Sequence, residues 1–373
     1  MKKSRIFSFS AMAITTIALV FLTFSCKKET GSVTTSDDFA PGCDYAYGAN
    51  GYIVQEGGIL NFQDADAFFA FVDTVPTWSD SAFVVWEAAT GANTAYGNYI
   101  EADSAMTALM TPYENDTVTT DSAFLPIFNN FAQSNAHLAS ITTEGVEPYF
   151  SFPFYYFVNG NGIYRICDQE FSVQGSLLLS YPVGKQDLVK GWNGEAGEFG
   201  ELSVQQIKKA HANGEIQERD EEYHVKCTAT LDGNNKKRIK VWWDSSAWRI
   251  PFQDPNTPPL VQYNWSHQAE IKAQKKSVGI WWSDTRHIAL SVEGTITNRH
   301  QHEAIPFFRS YTISFFKCER AHKIKQKFAL NSTVSTTNSN LNNFALTLTV
   351  TGTNRQTDCQ TIQATCTMNI LND

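Results

Sequence analysis

His300-Gln301-His302-Glu303 is the strongest metal candidate in this chain of 373 residues. On an extended strand His300 and His302 face the same side and can chelate Zn²⁺ through their imidazole nitrogens. A third ligand must then come from elsewhere, with His287 or Asp284 as the candidates. The competing reading is a polar loop between two strands, which Asn298-Arg299 before it and Pro306 after it favour. Asp64-Ala65-Asp66 has the opening of a calcium loop but lacks the loop's Gly and distal Glu, so helix capping suits it better. The chain has no G-x-S-x-G elbow, no H-E-x-x-H and no G-x-x-x-x-G-K-[ST]. Carboxylates are plentiful in the first half, but spacing alone does not select a glycosidase pair. No catalytic residue is assigned and no cofactor is expected.

A second constellation is suited to binding. Six of the nine Trp residues, Trp242, Trp243, Trp248, Trp265, Trp281 and Trp282, fall in the basic second half. Lys236, Lys237, Arg238, Arg249, Lys275, Lys276 and Arg286 are interleaved with them. Aromatic faces stack on sugars, and cations neutralise sulfate or carboxylate groups. Trp242, Trp243, Trp248, Trp281, Trp282, Arg249 and Arg286 are therefore the expected ligand-binding residues, with an anionic glycan as the ligand. The competing reading makes one Trp of each adjacent pair core and the other an edge cover, because neighbouring strand residues point to opposite faces.

A third pattern is Asp, then Ser or Thr, then a small aliphatic. It occurs five times within 73–123, offering the hydroxyls of Thr74, Ser81, Ser104, Thr117 and Ser122. The pattern resembles an O-glycosylation sequon of exported Bacteroidota proteins, which makes these residues candidate glycan acceptors. The competing reading is helix capping by the Asp and Ser side chains.

The elements that must position these groups change character along the chain. Gly51–Phe62 reads as a short hairpin turning at Gly57-Gly58. A Phe-rich helix follows, capped at Asn61 or Gln63-Asp64 and stopped by Pro76. Phe83–Trp86 is a brief apolar run, Glu101–Met110 a second helix ended by Pro112, and Phe124–Phe131 a short helix or strand. Asn159-Gly160-Asn161-Gly162 predicts a hairpin pairing Phe154–Val158 with Ile163–Cys167. Val204–His211 reads as helical. After 222 the period becomes two, with strands at Tyr223–Leu231, Arg238–Trp243, Val278–Trp282, His287–Ile296, Tyr311–Cys318, Lys325–Leu330 and Phe344–Thr351. The expected fold is an α+β N-terminal domain followed by an all-β antiparallel, sandwich-like C-terminal domain.

Charge divides the chain at the same place. Residues 27–222 hold 8 basic and 28 acidic residues, a balance of −20, whereas 223–330 hold 17 basic and 8 acidic, a balance of +9. Two electrostatically distinct modules follow, which either dock on each other or leave the second to meet an anionic partner. The organisation is a signal peptide at 1–25, a tether at 26–42, an acidic domain at 43–190, a linker with a helical stretch at 191–222, and a basic Trp-rich domain at 223–373.

Lys2, Lys3 and Arg5, the apolar run Ile6–Phe24 and then Cys26 lay out a secretory signal. It resembles a bacterial lipoprotein signal, in which Cys26 is acylated and becomes the first residue. An ordinary signal cut elsewhere, or an N-terminal membrane anchor, is the competing reading. Six further thiols in an exported chain could form three disulfides. Cys227 and Cys318 sit in strand-like runs, and Cys359 and Cys366 could close a short C-terminal loop; buried free thiols are the alternative.

The order of pieces is similar to that of uncharacterised lipoproteins of gut and oral Bacteroidota, catalogued as domains of unknown function. The matching stretches are Gly58-Ile59-Leu60-Asn61-Phe62 with its Phe-rich helix, Trp86-Glu87, Asn161-Gly162-Ile163-Tyr164, and Ser291-Val292-Glu293-Gly294-Thr295. The resemblance implies an envelope protein and supplies no catalytic residues. The expectation is a lipid-anchored outer-membrane protein, on the cell surface or facing the periplasm. It touches the membrane through its acyl anchor and acts as a non-catalytic module for anionic glycans. The alternatives are a scaffold or adhesin binding another envelope or host protein, and a cryptic hydrolase. Nucleic acid is not an expected partner of an exported chain.

Overall fold

The computed structural model describes residues 45–114, 118–175, 177–195, 197–206, 210–211, 222–230, 236–252, 260–301, 306–335, 343–354 and 362–370. The signal segment, Cys26, the tether, Thr117, His302 and Cys359 lie outside them. The described residues combine a few helices with extensive, mostly antiparallel sheets.

The first half builds a seven-stranded sheet with helices against it. Strands β1 (Tyr52–Gln55) and β2 (Ile59–Phe62) form the expected hairpin, with Gly57 at φ 77° in its turn. Helix α1 (Ala65–Thr74) is capped by Asp64, whose carboxylate accepts from the Ala67 amide at 2.8 Å. Helix α2 (Asp80–Thr90) contains the Phe83–Trp86 run and ends on the left-handed Gly91. Helix α3 (Ala95–Met110) starts six residues earlier than Glu101, because the Thr94 hydroxyl caps it at Gly97. Helix α4 (Asp121–Ser134) is capped by Thr120. Strands β3 (Ser140–Thr142) and β4 (Gly145–Glu147) form a small hairpin.

Two expectations in this half are corrected. Phe154–Tyr156 is a turn of 3-10 helix, not a strand. Five successive large side chains there, Phe154 to Val158, are all buried, so each needs a partner. A tight turn sends Phe157 toward Phe68 and leaves Tyr155 and Tyr156 to meet Gln268. Strand β5 (Ile163–Ile166) instead pairs with β6 (Gln169–Gln174) and, in parallel, with β2. Strand β7 (Leu177–Pro182) and the short helix α5 (Asp187–Lys190) lead to β8 (Gly197–Phe199), β9 (Leu202–Gln206) and β10 (Ala210–His211). Of the expected helix over Val204–His211, the described residues 204–206 and 210–211 are strand: Leu202 and Val204 alternate into a small cluster with Leu179 and Tyr181.

The second half is built of long strands. These are β11 (Glu222–Thr230), β12 (Lys237–Phe252), β13 (Leu260–Ser277), β14 (Ile280–Ser283) and β15 (Arg286–Gln301). They continue as β16 (Pro306–Ala321), β17 (Lys323–Ser335), β18 (Asn343–Asn354) and β19 (Ile362–Ile370). One sheet runs β10-β11-β12-β13-β14, with β17 also paired to β13, and the other runs β16-β15-β18-β19. Strand β13, the longest at 18 residues, has no counterpart among the expected strands. His267, Ala269, Ile271 and Ala273 on one face alternate with Gln268, Glu270, Lys272 and Gln274 on the other, and both sets are buried. A strand that buries a charged face does not read as one from hydrophobicity alone.

The main core belongs to the helical half. Phe68 stacks on Tyr164 at 5.3 Å between centroids and meets Phe62 and Phe157 edge-on. Side chains of this size each contribute about 1.5–3 kcal/mol on full burial. No described helix is long and apolar enough to cross a membrane.

Candidate functional site

The register of β12, β13 and β17 assembles a charged plane. Glu270 lies between Trp242 and Lys325, Lys272 between Lys240 and Lys323, and Gln268 between Asp244 and Lys327. Side chains two apart share a face, so Arg238, Lys240, Gln268, Glu270, Lys272, Gln274, Lys323, Lys325 and Lys327 all point one way. None faces water: Lys272 is 3% exposed and Glu270 6%. The opposite face of the same strands is Ile239, Val241, Trp243, Ala269, Ile271, Ala273 and Ile324.

What covers the charged plane is the acidic half. The Asp103 carboxylate, on α3, takes Lys272 Nζ at 3.0 Å and the Ser283 hydroxyl at 2.8 Å. Asp80, the first residue of α2, takes Lys323 Nζ at 2.8 Å and lies 3.7 Å from Lys325. Asp73, near the end of α1, takes Lys327 at 3.0 Å, and that ammonium also donates to the Val72 carbonyl. At the β3–β4 turn, Glu144 pairs with Arg238 at 2.7 Å. Its carbonyl accepts from Arg238, Lys240 and Gln274. The turn fits closely because Gly145 stands at φ 119°, where a Cβ would meet Gln274 at 2.7 Å. Four phenols complete the seam. Tyr96 donates to Asp80 at 2.6 Å and accepts from Lys325 at 2.8 Å. Tyr156 donates to Gln268 at 3.1 Å and accepts from Lys325 at 3.1 Å. Tyr155 accepts from Gln268 at 2.9 Å, and Tyr99 from Lys272 at 3.1 Å.

The electrostatics follow from this packing. Burial alone would raise the Asp80 and Asp103 carboxyls, but Lys323 and Lys325 beside the first and Lys272 beside the second hold both below the ordinary range. Burial works against the Lys272 ammonium, and Asp103 outweighs it, so Lys272 is raised. Burial raises Glu270 despite three nearby lysines. Burial, reinforced by Lys323, lowers its cross-strand neighbour Lys325. Burial raises Tyr96, Tyr155 and Tyr156. Each of these groups is engaged by another protein group, so the chemistry of the seam is cohesion between the acidic and basic halves.

The expected ligand residues are placed differently. Trp243 is fully buried and packs on Phe328 with ring centroids 5.5 Å apart. Trp281 is 8% exposed with the Arg238 guanidinium 3.9 Å above its ring, and Trp282 is 3% exposed with Lys275 at 4.1 Å. Those three indoles are therefore corrected from ligand face to packing: their faces are already covered. Arg286 is paired with Asp284. Trp242 is half-buried beside Glu270 in register. Trp248 and Arg249 sit farther along β12, opposite Asn264 and Tyr263, with Trp265 opposite Ala247.

His300 lies on β15 opposite Phe307. The proposed third metal ligands do not join it. Asp284 is held by Arg286 and Lys275. His287 lies on the same strand thirteen residues from His300, roughly 43 Å at about 3.3 Å per residue. Among the described residues no group of three His, Cys, Asp or Glu could hold a metal ion. Thr74, Ser81, Ser104 and Ser122 are exposed. The aspartates before the first three are the seam's ion-pair partners, a role the tripeptide pattern did not disclose. The caps at α2 and α4 are Ser79 and Thr120, one residue before Asp80 and Asp121. Cys318 is disulfide-bonded, as is Cys167 at the β5–β6 turn. Cys227 is on β11 opposite Val241, and Cys366 on β19 opposite Val350.

Fold and seam together define a mixed α and antiparallel-β protein whose two halves share a buried ionic face. No family model matches the chain, and no curated protein does. Among solved structures it is similar to a DUF4848 family protein from Bacteroides thetaiotaomicron. The two are 11% identical with a TM-score of 0.29, over 86% of this chain and 100% of that one. It is also similar to the variable domain of the AgI/II polypeptide BspA from Streptococcus agalactiae. There the identity is 11% and the TM-score 0.14, over 46% of this chain and 97% of that domain.

Proposed function

We propose that this protein is a lipid-anchored, non-catalytic binding module of the bacterial envelope, with its recognition element on the distal part of the long β-strands. The supporting observation is one of placement. Beyond the seam residues Lys240, Gln268 and Lys327, backbone pairing of β12 with β13 and of β13 with β17 continues to Phe252–Leu260 and Val261–Ser335. Eight residues of strand span about 26 Å, and that stretch carries Trp248, Arg249, Tyr263 and Trp265. The two large sheets face each other as a sandwich in this reading, which Phe315 of β16 against Phe328 of β17 supports. The ligand class is an anionic glycan, held by indole stacking and guanidinium pairing, so binding weakens with salt.

The test is binding of the full mature chain to sulfated and uronic polysaccharides at low salt. A Trp248→Ala/Arg249→Ala variant should lose at least tenfold in affinity, while Lys190→Ala should bind as the parent does. No binding by the parent at low salt sinks the glycan reading and leaves the protein-binding scaffold. The exposed Thr74, Ser81, Ser104 and Ser122 remain proposed glycan acceptors, and Cys26 the proposed acylation site. Intact mass from a native host showing polypeptide mass alone would remove both.

A further inference from the structure

The order β16-β15-β18-β19 leaves one side of β16 without a strand partner among the described residues. It is an edge of 16 residues, whereas the other edge of that sheet, β19, has 9. A free edge of this length offers a row of amide and carbonyl groups to another strand. Near its C-terminal end Phe316 is 63% exposed, and Lys317, Cys318 and Arg320 beside it are exposed as well.

We propose that a second copy of this chain adds to this edge, pairing β16 antiparallel with β16 across a two-fold axis at Cys318. The argument is charge and shape complementarity in that one register. With Cys318 opposite its own copy, Lys317 faces Glu319 of the second copy, and Glu319 faces its Lys317. Phe316 faces Arg320, an aromatic–cation pair. Within one chain Lys317 and Glu319 already lie 2.9 Å apart on one face of the strand, so the dimer closes a square of alternating charges. Shifting the register to place Lys317 or Glu319 on the axis sets like charges against each other, which is unfavourable. Cys318 is already disulfide-bonded, so the association is non-covalent. The contact is isologous, so it closes as a dimer without propagating into a fibre.

The experiment is sedimentation equilibrium of the full mature chain, titrated to about 100 µM, well above a micromolar dissociation constant. The parent should dimerise. Glu319→Lys places lysines opposite lysines and should weaken the dimer at least tenfold. Adding Lys317→Glu to make the swapped pair should restore it, and far-ultraviolet circular dichroism should be the same for all three. A parent that stays monomeric overturns the proposal. So does a Glu319→Lys variant that dimerises like the parent, or a swapped pair that fails to recover while remaining folded.

Discussion

Two buried regions hold this molecule together by opposite means, and tyrosine shows the difference. In the helical half Tyr164 is sealed between Phe68 and Phe171, both stacked on it, and its hydroxyl has no hydrogen-bond partner among the described residues. In the seam Tyr156 is equally buried, yet its hydroxyl bonds both Gln268 and Lys325. The first region is cohesive through area and tolerates apolar substitutions that conserve its volume. The second is cohesive through matched pairs, so removing one member strands its partner in a dry place. Apolar packing stabilises many arrangements, whereas the seam stabilises the one register in which three aspartates meet four lysines.

The comparison can be broken from either side. Phe68→Ala opens a cavity in the aromatic core and should cost about 3–5 kcal/mol in urea unfolding. Asp103→Ala leaves Lys272 charged and enclosed, and should cost about 3–5 kcal/mol as well. Asp103→Leu with Lys272→Met should recover most of that loss, whereas no second substitution restores a cavity left by Phe68. If the double variant is as unstable as the single one, the seam is held by shape rather than charge.

Tyrosine-to-phenylalanine changes sharpen the same contrast. Tyr156→Phe should destabilise by about 1–3 kcal/mol, because Gln268 and Lys325 lose a partner. Tyr164→Phe should be neutral or stabilising by up to about 1 kcal/mol, since it removes a buried hydroxyl that bonds nothing among the described residues. Equal effects would erase the distinction.

Acid should distinguish the regions too. The Asp80 carboxyl is held below its ordinary 3.8 by Lys323 and Lys325 against the cost of burial. A depressed carboxyl stabilises the fold above its unfolded value and loses that contribution as pH falls toward the folded one. Glu270 is raised and has the opposite sign: its contribution is present below 4.5 and declines as pH rises through its folded value. The urea midpoint of the parent should therefore fall as pH drops below 3.8, and that of Asp80→Asn should fall less. The smallest effect belongs to the surface: Lys190→Ala breaks an exposed pair with Asp187 and should leave the midpoint unchanged.

The sequence already held the outline of the seam. An acidic first half and a basic second half are legible by counting, and mutual docking is the simplest use of that segregation. Local signals that need only a few neighbours also carried through, such as Asp64 at the head of α1 and the Gly57-Gly58 turn. What was not legible depends on partners far away in the chain. Lys272 looks like a surface residue until Asp103 and Tyr99, about 170 positions earlier, are laid on it. Trp281 and Trp282 look like a ligand platform until Arg238 and Lys275 are seen on their faces. Phe154–Val158 has the composition of a strand, and only its burial on every side explains why it coils.

The seam also constrains how such a chain can be inherited. Two halves joined by a greasy contact can be exchanged between genes, since one apolar face resembles another. Here a crossover that replaced residues 45–206 would leave Lys272, Lys323, Lys325 and Lys327 beneath a foreign surface, each needing a carboxylate at a fixed position. Recombinants would fail unless both halves travelled together, so this protein should persist as a single heritable block.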